Sequence, residues 1–134
     1  MISHIILPQH RLILVKTSGE VTFDQAVALR HDIHGDPLYQ REFDGLTDLR
    51  TQVSGLTAHD VKRFVDALQS EPTHCTGRWA FVVDEPTQTA LSYYYGQLRD
   101  KGRSTNVFST SDAALDWLRV ERKGEVSELL EDLG

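Results

Sequence analysis

Trp79-Ala80-Phe81-Val82-Val83 decides the fold. Apolar throughout, with aromatic and β-branched side chains and no polar alternation, it reads as a strand covered by helices on both faces, the environment of a parallel sheet. Helix signals lie on either side of it. Upstream, Thr57 and Asp60 have the spacing of a capping box, and Val61, Phe64, Val65 and Leu68 follow at i, i+3, i+4, i+7, the strongest helix signature in the chain. Downstream, Asp84-Glu85-Pro86-Thr87 opens a helix that turns Leu91, Tyr94 or Tyr95, and Leu98 inward and stops at Gly102.

The same alternation extends in both directions. Asn106-Val107-Phe108 is a short strand, and Ser109 to Asp112 cap a helix carrying Ala114, Leu115 and Leu118 on one face. On the N-terminal side, 43–50 reads as a strand through Leu46 and Leu49, weakened by Gly45. Leu12-Ile13-Leu14-Val15 is a buried strand closed by Ser18-Gly19, and Ile5-Ile6-Leu7 pairs with it as a hairpin across Pro8-Gln9-His10. Thr22 and Gln25 form another capping box, Phe23, Ala26, Leu29 and Ile33 make the helix face behind it, and Gly35-Asp36-Pro37 ends that helix. Near the C-terminus Val126, Leu129, Leu130 and Leu133 oppose Glu125, Glu128, Glu131 and Asp132. That pattern predicts a short amphipathic helix over 125–133, which packs back on the domain, meets a second subunit or ends the chain as a frayed tail. The order of elements predicts an α/β fold, with a mixed, mostly parallel β-sheet flanked by helices and one domain over 1–134.

Composition narrows the function. The 134 residues include 14 basic and 20 acidic ones, a formal net charge of −6, and the basic residues are scattered, which argues against nucleic acid. Cys75 is the sole cysteine, so no intramolecular disulfide is expected, and no apolar run reaches the ~20 residues of a membrane span. A cytoplasmic protein without integral membrane association is expected. Its expected partners are a second copy of the chain, an unidentified protein or a small ligand.

From about Arg11 to Arg119 the chain resembles the SpoIIAA-like family, the bacterial STAS/SEC14-type domains. The carriers are Gly19-Glu20-Val21-Thr22, Leu46-Thr47-Asp48-Leu49-Arg50, Gly55-Leu56-Thr57, Trp79-Ala80-Phe81-Val82-Val83, and a closing segment with Phe108 and Ala114-Leu115-Asp116-Trp117-Leu118. The resemblance implies a STAS-like fold, no cofactor, and a non-enzymatic binding or regulatory module. Fold likeness alone assigns no specific role.

Two candidate sites follow. In the anti-sigma-factor antagonists related to this family, a serine ahead of Gly-Leu at a helix start is phosphorylated, which makes Ser54 and Thr57 phosphoacceptor candidates. Here Leu49 to Val53 separate Asp48 from Ser54, a departure from that pattern, and an ordinary Ser-Gly loop before a helix capped by Thr57 is the preferred reading. The second is a pocket at the C-terminal ends of the parallel strands, where open α/β sheets bind ligands. There the 50–57 loop, the turn after Asp84 and Tyr93-Tyr94-Tyr95 converge. Arg50 would meet an anion and Tyr94 or Tyr95 would line an apolar cleft; SEC14-like relatives bind lipids, so a small apolar or anionic ligand is the expectation. His31 and His34 share a helix face but lack further ligands at a familiar metal spacing, and read as solvated. Cys75 beside His74 makes no dyad by adjacency, and the strand-end pair Asp48 and Asp84 reads as capping groups rather than a carboxylate pair. No catalytic residue, metal or cofactor is expected.

Overall fold

The computed structural model describes residues 1–53 and 56–134, the side chain of residue 53 excepted. Five strands, β1 (Ile2–Leu7), β2 (Leu12–Glu20), β3 (Asp44–Val53), β4 (Trp79–Val82) and β5 (Thr105–Phe108), form one sheet in sequence order. β1 runs antiparallel to β2, and every later neighbour is parallel. The helices are α1 (Phe23–His34), α2 (Ala58–Gln69), α3 (Pro86–Asp100), α4 (Ser111–Trp117) and α5 (Lys123–Asp132). The mixed, mostly parallel α/β sheet expected from the sequence is therefore present.

Local chemistry sets the helix starts. Thr22 with Gln25 and Thr57 with Asp60 both form complete capping boxes, each hydroxyl accepting from the N3 amide while the N3 side chain accepts from the cap amide. Thr110 caps α4 and Glu85 caps α3 ahead of Pro86. β3 runs further than the sequence suggests: Thr51 and Gln52, expected in a loop, pair with Ser18 and Gly19 of β2. A bulge in β2 between Lys16 and Ser18 accompanies that extension and leaves Thr17 buried, its hydroxyl donating to the Asp48 carbonyl at 3.2 Å.

Each face of the sheet carries its own core. One is Leu12, Leu14, Leu46, Ala80 and Val82 under α4 and α5; the other is Ile13, Val15, Trp79, Phe81 and Val83 with Leu29 and Ile33 of α1. Parallel strands joined in sequence order by right-handed crossovers place α1, α2 and α3 on the same face. α5 buries Val126 and Leu130 in the first core, so of the alternatives for this helix, packing back on its own chain is the one found.

α3 departs from the expected face. Its buried residues are Gln88, Ser92 and Gly96, while Leu91, Tyr94, Tyr95 and Leu98 are only half-buried. The reason is close approach: a Cβ at Gly96 would stand 3.0 Å from the Thr105 Cβ, so a small-residue stripe lets α3 settle on β5. Gln88 is satisfied within that stripe, donating to the carbonyls of Leu49 at 2.7 Å and Gln52 at 3.1 Å. Hydrophobic periodicity does not register a stripe of small and hydrogen-bonded residues.

Candidate functional site

α1 packs near the β1 edge and α3 near β5, and α2 makes its main contacts with these two helices rather than with the sheet. That arrangement leaves a gap whose floor is the sheet, whose walls are α1 and α3 and whose roof is α2. The gap is a cavity of about 140 Å³. It opens where β2, β3 and β4 end and α1, α2 and α3 begin, the ligand position of open α/β sheets.

The lining is mostly apolar, with Val15, Leu49 and Phe81 from the sheet and Leu29, Phe64 and Leu91 from the helices. Polar groups sit among them. Gln88 is spent on the backbone of β3, and Thr47 accepts from the Trp79 indole N–H at 2.8 Å. Asp60 and Glu85 are spent as helix caps, accepting from the amides of Thr57 and Gln88. Arg30 and Ser92 differ. Arg30 is only 7% exposed and Ser92 3%; neither side chain makes a hydrogen bond or ion pair to a described residue, and both line the cavity, whereas the fully sealed polar atoms without a partner among the described residues are Arg99 Nη1 and Thr105 Oγ1. The Arg30 guanidinium carbon lies 4.0 Å from the Trp79 ring centroid and 5.7 Å from that of Phe64. These cation–π contacts use the charge and none of the N–H donors.

A smaller cavity of about 30 Å³ adjoins, lined by Arg30, His34, Gln69, Cys75, Tyr95 and Arg99 among others. Arg99 donates one nitrogen to the carbonyls of Cys75 and Gly77, while its buried Nη1 has no partner among the described residues. Arg30 and Tyr95 line both cavities.

The residues expected to form one pocket separate onto the two faces. Tyr95 lines the cavity and packs edge-on against Phe81 at 5.3 Å between centroids. Tyr94 does not line it, and Tyr93 is 54% exposed. Arg50 is a correction. Residues two apart on a strand share a face, so Arg50 follows Leu46 and Asp48 to the α4–α5 side, where its Nε and Nη2 donate to the Asp48 carboxylate at 3.0 and 2.9 Å. That hydrogen bond strengthens the hold of Arg50 on its proton, against a smaller opposing effect of burial. Asp48 is thereby engaged, and Asp84 is exposed with its amide bound to Gln88. Ser54 lies outside the described residues. The Thr57 hydroxyl is occupied as the α2 cap.

The histidines also differ from expectation. His31 is exposed and meets Glu71 at 2.8 Å, but the His34 side chain is only 6% exposed and stacks on Tyr39 at 5.0 Å. Burial lowers the His34 pKa below the usual histidine value, and the nearby Arg30 charge lowers it further, against the opposing effect of a hydrogen bond that the Glu71 carboxylate accepts from it. Among the described residues no group of three or more His, Cys, Asp or Glu could hold a metal ion. Cys75 donates to the Phe43 carbonyl and His74 Nδ1 donates to the Glu71 carbonyl, so each bonds elsewhere than to the other.

Sequence reasoning missed Arg30 and Ser92. Arg30 had a signal: it falls four residues after Ala26 and three before Ile33, inside the apolar stripe of α1, where a charge has no ordinary reason to be. Ser92 had none, being an ordinary small helix residue.

These features define a SpoIIAA-like α/β fold with a cavity over its sheet. The chain is similar to the crystal structure of an uncharacterized protein from Shewanella loihica PV-4, of the DUF3478 family with a SpoIIAA-like fold. The two share 18% identity over 87% of this chain and 93% of that one, with a TM-score of 0.60. At that identity the likeness extends to the fold and not to a role. No protein-family model matches the sequence, and no curated protein does. No helix among the described residues is long and apolar enough to cross a membrane.

Proposed function

We propose that this chain is a non-catalytic binding module that takes a small, mainly apolar molecule into the cavity roofed by α2. The observation carrying this reading is the cavity itself: about 140 Å³, apolar-walled, at the strand ends, with two buried polar side chains in its lining that have no partner among the described residues. Ligand sites combine such apolar walls with a few convergent polar groups, and a cavity near 150 Å³ is large enough for a benzene-sized body. A carrier or a ligand-sensing domain fits this geometry.

The test is uptake of phenylacetamide, a neutral one-ring molecule with a short polar arm, followed by chemical-shift changes at the Leu29, Val61 and Leu91 methyls, all in the cavity lining. Saturable shifts confined to those methyls, absent in an Ala26→Trp variant that fills the space, are the expected result. A folded parent with no shifts at millimolar ligand rejects the reading. Native mass spectrometry of protein purified gently from its host then identifies what the cavity carries.

A further inference from the structure

Resting on that reading, we infer that the ligand is an amphipathic anion: a carboxylate or similar planar oxyanion on an apolar body about one ring in size, bound through Arg30 with Ser92 as a second donor.

The argument starts from the cost of Arg30. A guanidinium does not shed its proton, so burial cannot be relieved by neutralisation. A buried charge is ordinarily paired with an opposite charge or saturated with hydrogen bonds. Arg30 is 7% exposed and has neither among the described residues; the aromatic rings of Trp79 and Phe64 face its charge instead. The carboxylates in the cavity lining, Asp60 and Glu85, form no ion pair with Arg30 among the described residues; each caps a helix, and Asp60 also faces Arg63 at 3.7 Å. Arg30 therefore holds unused N–H donors and an uncompensated positive charge against an apolar cavity.

Its surroundings point the same way. Arg99, with a buried Nη1 lacking a partner among the described residues, lines the small cavity that Arg30 also borders, so two guanidinium groups raise the positive potential at that end. Ser92, 3% exposed and across on α3, adds a hydroxyl donor with no other use among the described residues. A neutral apolar ligand would leave these donors unpaired, and a free inorganic anion would leave the apolar walls unused. An apolar body carrying an oxyanion satisfies both, and Arg presents the fork geometry that matches a carboxylate.

Phenylacetate compared with phenylacetamide, titrated calorimetrically on the full chain, isolates the charge at constant shape. The expected result is that the acid binds at least about tenfold tighter, the ratio that one charge-assisted hydrogen bond supplies. In Arg30→Met that ratio falls to about one, whereas Arg50→Met, on the opposite face of the sheet, keeps it. Octanoate against octanamide separates a ring-shaped body from an acyl chain, and a tenfold preference for the acid in either pair supports the inference. Equal binding of acid and amide in the parent overturns it while leaving the cavity reading intact, and needs no variant to fold. Failure of all four molecules to bind rejects the cavity reading and this inference with it.

Discussion

Gly45 on β3 stands directly opposite Trp79 on β4, and a Cβ at Gly45 would lie 2.2 Å from the Trp79 ring. The indole therefore crosses the neighbouring strand where a side chain would otherwise be. From there its N–H reaches Thr47 at 2.8 Å and its face receives Arg30. What looks in the sequence like a flaw in a strand is the seat of the tryptophan that supports the buried charge.

The Gly45→Ala variant should accordingly lose about 2–3 kcal/mol of stability by urea unfolding, the scale of overpacking a dense core. Because the added methyl displaces Trp79, loss of its tryptophan-fluorescence signature should accompany the loss of stability. An unchanged urea midpoint would show that the indole has somewhere else to go.

Arg50 and Tyr94 should both be dispensable for ligand binding. Arg50→Ala leaves Asp48, whose side chain is 6% exposed, without its bidentate partner, and should cost about 1–3 kcal/mol, since Arg50 itself is partly exposed and screened. Its affinity for phenylacetate should stay within about twofold of the parent. Tyr95→Ala, which removes a ring from the cavity wall, should weaken binding at least about tenfold. Equal losses in Arg50→Ala and Tyr95→Ala would put the site on the wrong face.

Most of this architecture was legible because period and caps are local properties. Val61, Val65 and Leu68 follow one helical stripe, and both threonine capping boxes form where the spacing put them. The general location of the pocket was legible too, because strand ends in an open α/β sheet are predictable from topology alone. Its lining was not. The face on which Arg50 emerges depends on β3 continuing as a strand instead of turning at residue 50, and that continuation follows from pairing with β2, 30-odd residues away. The buried side of α3 depends on how closely β5 approaches Gly96, which no periodicity reports.

The Thr57 hydroxyl caps α2, the roof of the cavity. Thr57→Ala should cost about 1 kcal/mol, and Thr57→Ser should recover most of it because the accepting oxygen returns. Ligand affinity should fall in Thr57→Ala and recover in Thr57→Ser if the roof must be well ordered to bind. A stable Thr57→Ala protein with parental affinity would separate the cap from the site.

The C-terminal helix predicts a different outcome from the one its amphipathic pattern invites. Val126 is fully buried and Leu130 only 1% exposed, both within the chain's own core, and the Lys16 ammonium donates to the carbonyls of Leu130 and Glu131 at the helix end. Leu130→Ala should therefore cost about 2–5 kcal/mol of unfolding free energy. Sedimentation velocity should give the same oligomeric state for variant and parent. A change of assembly at unchanged stability would mean that this face serves a second subunit after all.

His34 should make the fold acid-sensitive. Burial beside Tyr39 and the charge of Arg30 hold its folded pKa below the ordinary 6.5. The folded state therefore binds fewer protons than the unfolded chain in the interval between the two pKa values, and stability rises with pH across that interval. His34 contributes its full stabilising effect above about pH 6.5, and the effect declines as the pH falls through that value toward the folded pKa. His34→Phe keeps a ring to stack on Tyr39 and removes the titration. The urea midpoint of the parent should drop between pH 7.5 and 5.5 by more than that of His34→Phe, whatever other groups contribute to both. If an anion neutralises Arg30, its binding removes one of the causes that depress His34. Saturating phenylacetate should then raise the His34 pKa, read from its ring-carbon proton shifts. A His34 pKa that is indifferent to bound acid would place the carboxylate away from Arg30.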